Sequence, residues 1–555
     1  MKLLLGFVTA ALALAPVFAA APVAPPSPRL AITITVDQLR ADYLVRFRPY
    51  FGEGGFKRLL EGGADFQNTH YRHSVTQTAP GHASIATGVY ANVHGIVSNE
   101  WIDRDSWEQV NNVEDRDSLL VGVDAAAAGP ALLAPKAGRS PRSLQAPTIA
   151  DQLKLRHGAQ SKVFSASNKD RSAILLGGKL ADAAYWDENG SMVTSRYYRD
   201  KLPAWIEAFN AERRVQATFG KVWDRLKDPA IYDAVQGPDD APGENVGYGF
   251  TRTFPKKVDG GAAMISGAFY TAFDNAPFSA EFLGEFVQRA LREEQLGQHK
   301  ATDFLGVSFS QLDSVGHAYG PDSHEVMDSM LRLDRVLASL LDAIDRHVGL
   351  KNCVIVLTAD HGAQAMPERV QSTRAAIPAG RIKGADFDAA ARKALDAAFG
   401  ALPGEEYWFL RDGAGYHLRP SALAAKKLSV EEVSKVLKAV LLQQAPIAQV
   451  FTRAEILAAP PEGDSFLAMA RRGYYAPRDR EVVYVLKPYF MDKHPFGTTH
   501  GTPYEDDTHV PQVWFGAGVP RGVHVERVGV EDIATTFAGL LGIPAPPQAQ
   551  GRRLF

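Results

Sequence analysis

Residues 31–37 read AITITVD, and two later stretches repeat the pattern: 304–313, FLGVSFSQLD, and 353–360, CVIVLTAD. Each is a short run of β-branched and apolar residues that closes on an aspartate. Near-continuous runs of this kind fit strands buried on both faces, as in a parallel sheet covered by helices. Elsewhere the period changes. Residues 323–348 carry Val326, Met330, Leu333, Leu337, Leu340 and Ile344 at helical spacing, and 531–541 repeats the idea near the C-terminus. Strands alternating with helices predict an α/β fold, with a mostly parallel central sheet and helices on both faces.

Two regions break this rhythm. Residues 181–280 are rich in Trp, Tyr, Asp and Gly with few clean strand signals, and 365–475 carry their own helical patterns at 387–399 and 429–443. Both are expected to be insertions that cap the main sheet. The reading is one catalytic domain over 28–555 with these two insertions.

The chain has 555 residues, 46% of them apolar and 22% charged, with a formal net charge of −3. That is enough apolar content for a real core, and it supplies no basic field of the kind that attracts a nucleic-acid duplex. The N-terminus predicts export. Lys2 precedes an apolar run over 3–17, and Ala19, Ala20 and Ala21 follow it. The run falls short of the ~20 residues that span a bilayer, and Pro16 and the prolines of 22–28 oppose its continuation as a helix. A signal peptide at 1–20 is expected, leaving a periplasmic or secreted protein with no stable membrane insertion. Cys353 is the only cysteine, so neither an internal disulfide nor a thiolate metal site is possible. Metal ligands must be His, Asp, Glu or hydroxyl.

Asp37, Asp313 and Asp360 stand where apolar strands are expected to stop. Ligands of open α/β sheets bind beyond the carboxyl ends of the strands. Taken singly, each acid reads as a turn or helix cap. Gathered together they would repel one another unless cations neutralise them. Their neighbours favour metal. His317 follows Asp313 in DSVGH, His361 follows Asp360 in TADHG, and His500 lies in GTTHGTPYEDDTHVP. Asp with His is a ligand set suited to zinc; manganese and calcium also suit carboxylates. In SVTQTAPGHAS, Pro80 marks a helix start. Thr78 would then lie at the positive end of that helix, where anions are favoured. It is the candidate nucleophile, with Thr76 as its rival. In SNKDRSA, Lys169 and Arg171 follow the strand-like 162–166. On a non-helical stretch two such cations project to one side and can grip one phosphoryl group.

In this order these motifs resemble the alkaline phosphatase superfamily, in particular the bacterial phosphate-irrepressible alkaline phosphatases with a threonine nucleophile. The likeness runs through VDQLRADYL, TQTAPGHAS, SNEW, SNKDRSA, QLDSVGHAYGP, TADHGA, THGTPYEDDTHVP and the tail VEDIATTFAGLLGIP. It implies two zinc ions, one on Asp313, His317 and His500, the other on Asp37, Asp360 and His361 with the Thr78 hydroxyl. It also implies that Asn99, Lys169 and Arg171 bind the phosphoryl oxygens, the last two within a K-x-R-x-A motif that Ala173 completes. The function implied is hydrolysis of small-molecule phosphate monoesters through a phospho-threonine, by a monomer. A phosphodiesterase or nucleotide pyrophosphatase of the same superfamily is the alternative.

Overall fold

The computed structural model describes residues 27–555 except 125–129, 405 and 494. The expected signal peptide lies outside the described residues. Among those described, no helix is long and apolar enough to cross a membrane.

An eleven-stranded sheet organises the main domain. In chain order its strands are β1 (Leu30–Val36), β2 (Ala64–His70), β3 (Leu120–Val121), β4 (Val163–Ser167), β5 (Ala183–Glu188), β6 (Ser191–Ser195), β7 (Asp303–Phe309), β8 (Cys353–Thr358), β9 (His509–Gly516), β10 (Gly522–His524) and β11 (Val528–Gly529). They pair in the order β10-β2-β9-β8-β1-β7-β4-β5-β6-β3, with β11 also on β2. The inner run from β8 to β5 is parallel throughout. Antiparallel β9 and β6 flank it. Every residue of β1, β7 and β8 is buried. The α/β architecture expected from the apolar runs is therefore present, and Cys353 is a buried residue of β8.

The helix expected over 323–348 is His324–His347, with Ser323 accepting a hydrogen bond from the Val326 N–H at its start. Its apolar stripe, from Val326 to Ile344, is buried in the main core with Phe278–Glu293 alongside.

The two irregular regions behave differently. The first was expected to be an insertion throughout, yet β5 and β6 lie within it and extend the main sheet. The missed signal is Asn189-Gly190. Both residues have positive φ, 51° and 79°, as a two-residue hairpin turn requires. Short helices and a two-stranded ribbon, Lys221–Trp223 with Lys256–Val258, make up the rest. The second region is a module of its own that runs past residue 475. Its antiparallel sheet places Phe409–Asp412, Gly415–Leu418, Val482–Leu486 and Ile447–Thr452 in that order. Helices Gly384–Phe399 and Val430–Leu441 cover one face through Leu395, Val433, Leu437, Val482 and Tyr484.

Candidate active site

The parallel strands bring the acids together. Val36 is level with Phe309 and Thr35 with Thr358, so β8, β1 and β7 end side by side. Neighbouring strands lie about 4.8 Å apart, close enough for side chains from adjacent ends to share one small ion. Asp37 directly follows β1, and Asp360 follows β8 by two residues. Asp313 differs from expectation. The strand stops at Phe309, and Asp313 sits in the first turn of helix Gln311–Tyr319. An apolar run of that length does not by itself separate strand from helix. The helical placement has a consequence, because His317 is then one turn further on the same face. Its Nε2 is 3.2 Å from Asp313 Oδ1.

The histidines are oriented alike. His317 Nδ1 lies 2.9 Å from the Thr498 carbonyl, His361 Nδ1 2.9 Å from that of Gly362, and His500 Nδ1 2.8 Å from that of Thr76. A carbonyl only accepts, so each ring carries its proton on Nδ1 and turns Nε2 toward the acids. This is how protein metal sites commonly set a histidine ligand. His361 Nε2 is 3.3 Å from Asp37 Oδ1 and 3.7 Å from Asp360 Oδ2. His500 Nε2 is 3.6 Å from Asp313 Oδ1.

Two groups converge with their ligand atoms within 4.8 Å of one another: Asp313, His317 and His500, and Asp37, Asp313 and His361. Asp313 thus faces both, and Asp360 adjoins the second through His361. The residues fit metal on independent grounds. Asp37 Oδ1, Asp360 Oδ2 and His361 Nε2 are buried without a hydrogen-bond partner. Two unit charges about 4 Å apart interact by ~4 kcal/mol at an effective dielectric near 20. Acids gathered here therefore need cations, and the titration behaviour agrees. Burial and the Asp313 charge push Asp37 upward, yet Lys169 and His361 hold it below the usual carboxylate range. Burial would lower His361, but the Asp360 and Asp37 charges lift it to about 10.

Lys169 answers part of this field. Its Nζ lies 2.7 Å from Asp37 Oδ2 and 2.6 Å from Asp313 Oδ2. Lys169 and Arg171 were expected on a non-helical stretch. Instead Lys169 stands at the N-cap position, and Arg171 is the second residue, of the helix Asp170–Gly177 that follows β4. The helix dipole adds to both cations there.

Thr78 is the first residue of helix Thr78–Thr87 and is 1% exposed. The rival Thr76 donates its hydroxyl to the Thr502 carbonyl. The helix is pressed against the acids at Gly81, where a Cβ would come within 2.3 Å of the Asp360 carbonyl oxygen. Its His82 Nδ1 is also 3.3 Å from Asp360 Oδ2. Asn99 Oδ1 accepts the Ala79 N–H at 2.8 Å. That bond fixes the carboxamide and leaves its NH₂ as the donor end.

Gln38 escaped the sequence reading. It has φ 65°, donates its backbone N–H to Asp360 Oδ1 at 3.2 Å, and donates its Nε2 to Asp313 Oδ1 at 2.6 Å. One residue thus holds two acids, one just past a strand end and one in a helix's first turn. A glutamine beside Asp37 in VDQLR carries no pattern that reveals this. Gln38→Leu is expected to raise the metal concentration that half-restores activity to stripped protein by about 10–100-fold. Metal titration monitored by turnover would show it, and an unchanged titration would remove Gln38 from this role.

A family model described as type I phosphodiesterase / nucleotide pyrophosphatase matches residues 31–502. Alkaline phosphatase PhoV of Synechococcus elongatus is 32% identical over 95% of this chain and 92% of its own length. Alkaline phosphatase PafA of Elizabethkingia meningoseptica is 31% identical over 95% of this chain and 94% of its own. A crystal structure of wild-type PafA superposes with a TM-score of 0.87 at 30% identity, covering 96% of this chain and 99% of that one.

Proposed function

The chain belongs to the type I phosphodiesterase / nucleotide pyrophosphatase family, and on that premise we propose that it is an exported alkaline phosphatase. It hydrolyses phosphate monoesters with two bound metal ions and a phospho-threonine on Thr78. The observation that carries the monoester reading is Lys169 against the Asp–His cluster, with Arg171 two residues on at the same helix start. A monoester dianion carries more charge on its non-bridging oxygens than a diester, and these two cations supply the match.

Asp313, His317 and His500 would hold one ion, and Asp37, Asp360 and His361 the other. Zinc suits this nitrogen and oxygen donor set without thiolate. When bound, the metals supply Lewis-acid charge that lowers the pKa of a hydroxyl or water and stabilises a departing oxygen. The protein's own groups do the rest. The Thr78 oxygen attacks phosphorus in line as the bond to the leaving oxygen breaks, and water then hydrolyses the phospho-threonine. Arg171 offers a planar fork to the equatorial oxygens, Lys169 a mobile point charge, and Asn99 its NH₂. Lys169 exchanges its carboxylate partners for a phosphoryl oxygen. The apolar run over 3–17 and the alanines that follow it support the reading of an exported protein.

Charge-assisted hydrogen bonds contribute about 1.5–3 kcal/mol each. The double variant K169A/R171A should therefore lose about 10²–10⁴-fold in kcat/KM toward an aryl phosphate monoester, and less than tenfold toward the matching diester. Parallel rate measurements on both esters test this. Wild-type protein that cleaves the diester faster than the monoester would overturn the reading.

A further inference from the structure

A cavity of about 250 Å³ lies between the main domain and the second module. Gln77, Ser98 and His500 line its inner end. Gln77 precedes Thr78, Ser98 precedes Asn99, and His500 belongs to the Asp313 cluster, so this end adjoins the site through His500. His500 Nδ1 lies 2.8 Å from the Thr76 carbonyl, and Gln77 and Ser98 are hydrogen-bonded to each other. Gln77 Oε1 accepts from Ser98 Oγ at 2.8 Å and from the Asn99 N–H at 3.0 Å.

The outer wall is apolar and comes from the module's antiparallel sheet. Phe451 and Val483 are directly paired across strands, so their side chains stand on one face. Val485, two residues on, shares it. Val482 points the other way, into the module's core. Leu486, Phe490 and Met491 extend the lining. The charged groups at the rim are already matched. Arg480 Nε is 2.9 Å from Asp479 Oδ1, and Asp492 Oδ2 is 2.6 Å from Arg411 Nη1. Among the described residues of the lining, Asp412 also faces Arg480, at 3.9 Å, so each charged side chain there has an opposite charge within the protein.

In-line displacement places nucleophile and leaving group on opposite sides of phosphorus. Thr78 takes one side, and the Asp313–His317–His500 group serves the departing oxygen on the other. His500 both belongs to that group and lines the cavity. We propose that the cavity binds the alcohol portion of the substrate, and that the preferred substrates are phosphate monoesters of an uncharged, apolar alcohol or phenol of one or two rings. Ligand clefts of about 300 Å³ and more take drug-sized molecules, so this smaller space suits a group of that size. The proposal rests on the phosphomonoesterase reading.

The test compares 2-phenylethyl phosphate with ethyl phosphate, two alkyl esters with similar leaving groups. Burying a phenyl ring at ~25 cal/mol per Å² favours the larger ester. The kcat/KM ratio is expected to exceed about tenfold in the wild-type protein and to fall toward one in Val483→Asp and Phe451→Ala. A wild-type ratio within twofold of one, or one that survives both substitutions, overturns the proposal. Absence of hydrolysis of both esters would instead strike the phosphomonoesterase reading. Inhibition of wild-type protein by 2-phenylethylphosphonate and ethylphosphonate decides the matter if the variants do not fold. Tighter binding of the first by about tenfold supports the cavity, and equal binding removes it.

Discussion

Replacing Thr78 with alanine should lower kcat/KM for an aryl phosphate monoester by about 10⁴-fold or more, equivalent to ~5 kcal/mol of lost transition-state stabilisation. The hydroxyl is the only group at the start of helix Thr78–Thr87 proposed to form a bond to phosphorus. Thr76, its rival, has its hydroxyl committed to the Thr502 carbonyl. Methyl for 1-hydroxyethyl at the first helical position removes no helix cap, because Gln77 occupies that place. The fold should therefore survive, with a melting temperature near that of the parent protein. Acid quenching during turnover should trap phosphate on Thr78 in the parent and none in Thr78→Ala. If Thr78→Ala retains more than a tenth of the activity while Thr76→Ala abolishes it, the nucleophile has been assigned to the wrong threonine.

Metal removal is the second large effect. Prolonged dialysis against a chelator should abolish turnover by at least about 10³-fold, since the metals contribute several kcal/mol of charge stabilisation. Zinc should restore it, and manganese or calcium added alone serves as the comparison. Stability should fall with activity. A ligand present at about 1,000 times its Kd stabilises the folded state by ~4 kcal/mol. The loss falls on buried atoms that make no hydrogen bond, Asp37 Oδ1, Asp360 Oδ2 and His361 Nε2. Calorimetry should thus show a melting temperature lowered by several degrees and recovered with zinc. Full activity in protein shown by elemental analysis to hold no divalent metal would end the two-metal mechanism.

The same residues show how the site escapes a reading by spacing alone. Asp313 was legible as an acid at the end of an apolar run, but not as a helical residue. Only the helix makes His317 its neighbour and lets Asp313 face both ligand groups. Lys169 and Arg171 were legible as paired cations, while their helix-start position was not. Gln38 was illegible because its task is to join Asp313 and Asp360, 275 and 322 residues away.

Sequence by itself determined the fold class and the kinds of residue in the site. Buried parallel strands must be apolar along their length, and a metal site without cysteine must draw on His, carboxylates or hydroxyls. Both requirements are local and leave their mark in composition and period. Tertiary structure alone decided the order β8-β1-β7-β4, which sets three acids and a lysine at neighbouring strand ends. It also brought β5 and β6 into the main sheet and opened an apolar cavity between two units of the chain. Those outcomes depend on which faces pack together across hundreds of residues, and local periodicity does not encode the partner of a face.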